Sequence, residues 1–83
     1  MKTKSITGYE LRDGMTVLVQ GHPMTISEIT IAKAYWNPIE GKEVVRFTGH
    51  CTDDKDNDSI RHTSYNGGRY GQLASMTYAL IVK

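Results

Sequence analysis

The chain has 83 residues, a formal charge of +1 and one cysteine. That length makes a single domain, residues 1–83, with a small core that self-association would reinforce. The charge excludes a protein that coats nucleic acid through overall basicity. The lone Cys51 excludes an internal disulfide, and the longest apolar run, "YALIV", is far too short to span a membrane.

The N-terminal "MKTKSITGYE" is polar, either loose or an edge strand; its two lysines precede no apolar run, so no secretory leader is expected. With a reducing compartment favoured by the cysteine usage, the expected location is cytoplasmic. Asp13-Gly14 marks a turn. In "MTVLVQ", Met15, Val17 and Val19 fall on one side of a strand, and Gly21-His22-Pro23 is read as the next turn. "MTISEITIAKAYW" is a second strand rich in β-branched residues. Its alternation changes phase at Glu28-Ile29, which predicts a bulge.

"NPIEGK" is a turn, and "EVVRFTGHCT" a third strand with Val45, Phe47 and Gly49 on one face and Val44, Arg46, Thr48 and His50 on the other. "DDKDND" is a solvated turn. Asp54, Asp56 and Asp58 have calcium-loop spacing, but Ser59 stands where a glycine is required and Tyr65 where a glutamate is. Asp58 could cap a helical turn. The segment "NDSIRHTSYNGGRYGQ", residues 57–72, reads as a long loop rich in glycine, tyrosine and arginine. "LASM" could begin a helical turn, and Thr77 to Val82 form the last strand. The expectation is a mostly-β domain, an SH3-like barrel of about five strands with that long loop and at most one short helical turn; an open sheet with a short helix is the alternative.

His22, His50, Cys51 and His62 lack metal-ligand spacing, so no metal site is expected. No nucleophile stands in a G-x-S-x-G elbow, and Cys51 is expected to serve as a small, half-buried apolar residue. The chain is therefore read as a non-enzyme without a cofactor.

The loop carries the chemistry that remains. Arg61 and Arg69 can fork onto phosphate. Tyr65 and Tyr70 offer faces for stacking on a base. Asn66, like Asn57 and Gln72, could read a base edge. Gly67 and Gly68 let backbone amides approach an anion. Trp36 is expected in the core; exposed at the rim, it would be a stacking platform. The same loop composition also suits an ordinary exposed turn or a protein-binding surface.

The run "FTGHCTDDKDNDSIRHTSYNGGRYG", residues 47–71, and more loosely "LRDGMTVLVQG", resemble a group of small bacteriophage proteins. In size and loop chemistry the chain is also similar to compact phage β proteins that capture nucleotide immune signals. The resemblance implies an anti-defence sponge in the cytoplasm of an infected bacterium, binding a cyclic oligonucleotide or an ADP-ribose-type ligand as a homo-oligomer. The alternatives are an inhibitor that binds a host protein, and a nucleic-acid-binding small barrel with Lys33, Lys42, Arg46, Arg61 and Arg69 along one side.

Overall fold

The computed structural model describes residues 2–52 and 60–82. Six antiparallel strands build it: β1 (Lys2–Thr7), β2 (Thr16–Val19), β3 (His22–Lys33), β4 (Glu43–Cys51), β5 (Gly68–Leu73) and β6 (Thr77–Val82). They form one sheet in the order β1-β6-β2-β3-β4-β5, curled into a small barrel-like shape. A 3₁₀ turn at Gly8–Glu10, the one helical element among the described residues, follows β1, and the Glu10 carboxylate accepts the Thr7 N–H at 2.7 Å. The readings on Asp54, Asn57, Asp56 and Asp58 lie outside the described residues.

The N-terminal segment is the edge strand, paired along its whole length with β6. The β2–β3 connection differs from its sequence reading. Gln20 and Gly21 alone make the turn, both with positive φ (51° and 85°), while His22 and Pro23 already belong to β3. Two successive left-handed residues match the twist of a two-residue hairpin.

The phase change at Glu28-Ile29 is a bulge. Ser27 faces Thr48 and Thr30 faces Arg46, so two residues of β3 oppose Phe47 alone. Glu28 has a φ of 54°, which few non-glycine residues adopt. Except for Leu73, the sixth strand, β5, lies inside the segment read as a loop; the other five fall on the strands and the edge segment marked in the sequence, with β3 beginning earlier, at His22, and ending earlier, at Lys33. Of "LASM", Leu73 ends β5 and Ala74, Ser75 and Met76 make the β5–β6 turn, with no helix.

Val17, Met24, Ile26, Val45 and Phe47 are fully buried. Phe47 is the hub: Tyr78 meets it edge-to-face at 5.7 Å, and Tyr70 stacks beside it at 6.1 Å. Cys51 packs half-buried against this cluster, as expected for a small apolar side chain. Gly8 closes the core at the sheet's edge, where its N–H donates to the Ala74 carbonyl at 2.9 Å. A Cβ on Gly8 would stand 2.9 Å from Ala74 backbone atoms and 2.8 Å from Val45 Cγ1. Backbone cannot swing aside as a long side chain can. Gly8→Ala is therefore expected to destabilise the fold by about 1–3 kcal/mol, read as a lower midpoint in urea at unchanged slope.

Candidate functional site

The barrel divides the predicted site residues between two places. The first is the turn region leading into β5. Here the Asn66 side chain is engaged at both ends: its Oδ1 accepts the Cys51 N–H at 2.8 Å, and its Nδ2 donates to the Arg61 carbonyl at 3.0 Å. Gly67, at φ 84°, donates its N–H to the Gly49 carbonyl at 2.8 Å. A Cβ on Gly68 would lie 3.0 Å from the Ser64 carbonyl oxygen. These glycines let the chain close on itself. Arg61 is half-buried at the start of the turn region, and Tyr65 is exposed.

Tyr70 and Arg69 leave β5 on opposite faces. Tyr70 points to the core face, filling the space that Gly49 leaves: a Cβ there would meet Tyr70 Cε2 at 3.1 Å. Its hydroxyl donates to the Tyr65 carbonyl at 2.7 Å. Burial, with the nearby Tyr65 phenol contributing less, raises the Tyr70 pKa. Arg69 crosses β4 on the outer face. Its Nη1 donates to the Glu28 carbonyl at 2.8 Å and to Thr48 Oγ1 at 3.2 Å, and lies 3.8 Å from Glu28 Oε2. Thr48 Oγ1 in turn donates to Glu28 Oε2 at 3.3 Å. Arg69 thus pins the left-handed residue of the bulge.

The second place is the outer face at the far end of β3 and β4. Trp36 lies at the surface with 36% of its area exposed, not in the core, and Tyr35 is 86% exposed. Their rings meet edge-to-face at 5.1 Å, and the Arg46 guanidinium sits 5.2 Å from the Trp36 ring centre. Such a contact fixes both groups while leaving ring surface available. Two clefts flank the pair. One, of about 120 Å³, is bordered by Thr30, Ala32, Lys33 and Tyr35. The other, of about 400 Å³, is bordered by Ile39, Gly71, Gln72 and Leu73. Gly71 pairs with Arg46, and a Cβ on it would press on Arg46 Cγ at 3.1 Å. The sequence sets Tyr35 next to Trp36 and, on a strand, one ring would face in and one out; instead both lie at the surface in contact, and Arg46 beside them was not foreseen. The usable signal was the run Tyr35-Trp36 next to Asn37-Pro38, two large aromatics entering a turn.

The predicted constellation is therefore spread out. Arg69 and Tyr70 border one cleft near β2 and β6, Trp36 belongs to another site with Arg46, and Asn66 and Gly67 hold the turn together. Among the described residues no cluster of His, Cys, Asp and Glu could hold a metal ion. His50 Nε2 lies 3.3 Å from Ser27 Oγ. No described helix is long and apolar enough to cross a membrane.

The architecture defines a small antiparallel β-barrel-like domain. It is similar to the translation initiation factor eif-5a family protein from Naegleria fowleri ATCC 30863, with a TM-score of 0.65 and 18% identity over 99% of this chain. The match spans about half of that protein (49%), and at this identity the likeness is one of fold. No protein-family model and no curated protein matches the sequence.

Two outcomes follow from this geometry. Arg69→Ala removes three polar contacts that hold a strained residue, and is expected to cost about 1–2 kcal/mol; at about 4–8 °C per kcal/mol for a domain of this size, a melting curve reads it directly. Burial pushes the Tyr78 hydroxyl from 10.0 up to about 12. The unfolded chain therefore releases that proton first, and stability falls as pH rises from 10 towards 12. Urea midpoints across that range should decline in the native protein and decline less in Tyr78→Phe.

Proposed function

We propose that this domain is a non-catalytic module that captures a small phosphorylated nucleotide on the outer face, at Trp36, Tyr35 and Arg46. The observation that carries the reading is the Arg46 guanidinium fixed over the Trp36 ring beside a nearly bare Tyr35. A nucleobase stacks on such rings. Arg46 supplies a planar donor for phosphate, and Lys33, on the border of the smaller cleft, a second positive charge. The glycine-rich turn region is a weaker candidate, because Asn66, Gly67 and the Tyr70 hydroxyl already bond within the chain and Arg69 is tied to Glu28. The resemblance to phage proteins supplies a purpose: sequestration of a cyclic oligonucleotide or ADP-ribose-type signal in an infected cell. A homo-oligomer would give this shallow face a second wall.

A melting-temperature screen with a panel of cyclic dinucleotides, cyclic trinucleotides and ADP-ribose derivatives tests the reading. A ligand at about one hundred times its dissociation constant contributes about 2.7 kcal/mol, a shift on the order of 10 °C here. Trp36→Ala and Arg46→Ala should each abolish that shift, while Arg61→Ala keeps it. A panel without effect overturns the proposal. Binding confined to single-stranded oligonucleotides, weakening steeply with salt, would replace it with the nucleic-acid reading.

A further inference from the structure

The β2–β6 ladder consists of one bridge, Val17 opposite Leu80. Beyond it, Leu18, Val19 and Gln20 on one side and Thr77 and Tyr78 on the other border a cleft of about 380 Å³. Its far wall is β5, from Arg69 to Gln72. That volume lies in the range of small-molecule sites.

Two polar groups of the core face meet at this cleft. Gln72 pairs with the buried Val45 and shares its face, two residues along from Tyr70. Its carboxamide makes no hydrogen bond to a described residue. Tyr78 is 8% exposed, and its hydroxyl likewise has no partner among the described residues. That oxygen keeps some surface of its own. Burial raises its pKa to about 12, so the group is a neutral phenol, able both to donate and to accept. Inward-facing amides and hydroxyls are normally satisfied within the protein. Here both belong to residues that border an opening.

The surroundings narrow the occupant. Tyr70 is fixed by stacking beside Phe47 at 6.1 Å and by its hydroxyl's bond to the Tyr65 carbonyl, and it stays half-buried at the cleft. Leu18, Val19 and Phe47 add apolar surface. Arg69 is the one charged residue on the border, and its guanidinium is held across β4 at the Glu28 carbonyl and Thr48, away from the opening. The cleft therefore offers rings and neutral hydrogen-bonding groups but no counter-charge. An ionised ligand would lose hydration there without return. A carboxamide presents a donor beside an acceptor, the pair that matches the edge of a nucleobase. We propose that this cleft binds a small, uncharged, planar heterocycle of nucleobase type, packed against Tyr70, with its donor–acceptor edge on Gln72 and a further bond to the Tyr78 hydroxyl. The site is separate from the Trp36–Arg46 face and does not depend on phosphate or on that face.

The probe is uracil, titrated into isotope-labelled protein and followed by NMR at the Gln72 side-chain amide, the Tyr70 and Tyr78 rings and the Trp36 indole. A ligand this small is expected to bind with a dissociation constant on the order of 1 mM. Uracil should shift the Gln72, Tyr70 and Tyr78 signals and leave Trp36 unmoved. Dimethyluracil, methylated on both ring nitrogens, keeps the ring and loses the donors; it should bind about tenfold more weakly. This comparison tests the bond to Gln72 with no change to the protein. Orotate, which is uracil bearing a carboxylate, should also bind more weakly. Gln72→Leu should erase the preference for uracil over dimethyluracil. Tyr78→Phe keeps the ring and should weaken uracil binding about threefold, while Trp36→Ala should leave it unchanged. The proposal is overturned if about 10 mM uracil, well above the expected constant, moves none of the cleft signals. Equal binding of uracil and dimethyluracil, orotate binding as tight as uracil, or a uracil preference that survives Gln72→Leu would each overturn it as well. Shifts confined to Trp36 also overturn it, and assign the base to the aromatic face.

Discussion

One extra residue in β3 governs both faces of the sheet. Up to Ser27 the even-numbered residues Met24 and Ile26 face the core; past Glu28 the parity reverses, and Thr30 and Ala32 lie on the outer face with Arg46 and Val44. That reversal makes the floor on which Trp36 and Tyr35 rest. It depends on a glutamate held in a left-handed conformation, and the Arg69 and Thr48 side chains hold it there. A residue on β5 thus stabilises a bend on β3 by reaching across β4. The bend both curls the sheet and separates the buried face from the displayed one.

The same arrangement explains why the aromatic face and the cleft beside β2 and β6 are separate. Side chains of β5 alternate: Tyr70 and Gln72 go inward, Arg69 and Gly71 outward. Gly71 leaves Arg46 room to lie beside Trp36. The inward residues, with the parted ends of β2 and β6, border the opening of an incompletely closed barrel. A fully hydrogen-bonded barrel would have no such opening.

Much of the fold was legible because its signals are local. Alternation in β2, β4 and β6 and the phase slip at Glu28-Ile29 require only neighbouring residues. β5 was not legible: "GRYGQL" holds two glycines and no β-branched residue, and it becomes a strand because Tyr70 packs on Phe47 and over Gly49. The hairpin turn was placed one residue late because Gly-His-Pro carries stronger turn chemistry than Gln20-Gly21, yet Pro23 is tolerated in β3 opposite Leu18. The site was less legible than the fold. Asn66, Arg69 and Tyr70 are residue types that bind nucleotides, but their partners here are Cys51, Glu28 and the Tyr65 carbonyl. The first two of these partners are fixed only by the tertiary fold. Trp36 next to Arg46 is likewise a product of strand pairing, since Thr30 is the residue that brings Arg46 to that end of the sheet.

The pairing of β1 with β6 joins the two ends of the described chain, while β2, β3 and β4 follow one another as a meander. Contacts distant in sequence demand costly chain closure before they give anything back. The meander is therefore the natural nucleus, and the outer pair is added once both termini have been brought to it. Unfolding forces applied at the termini would meet β1 and β6 first, because they lie side by side in opposite directions. They would peel that pair bond by bond before the meander felt any load.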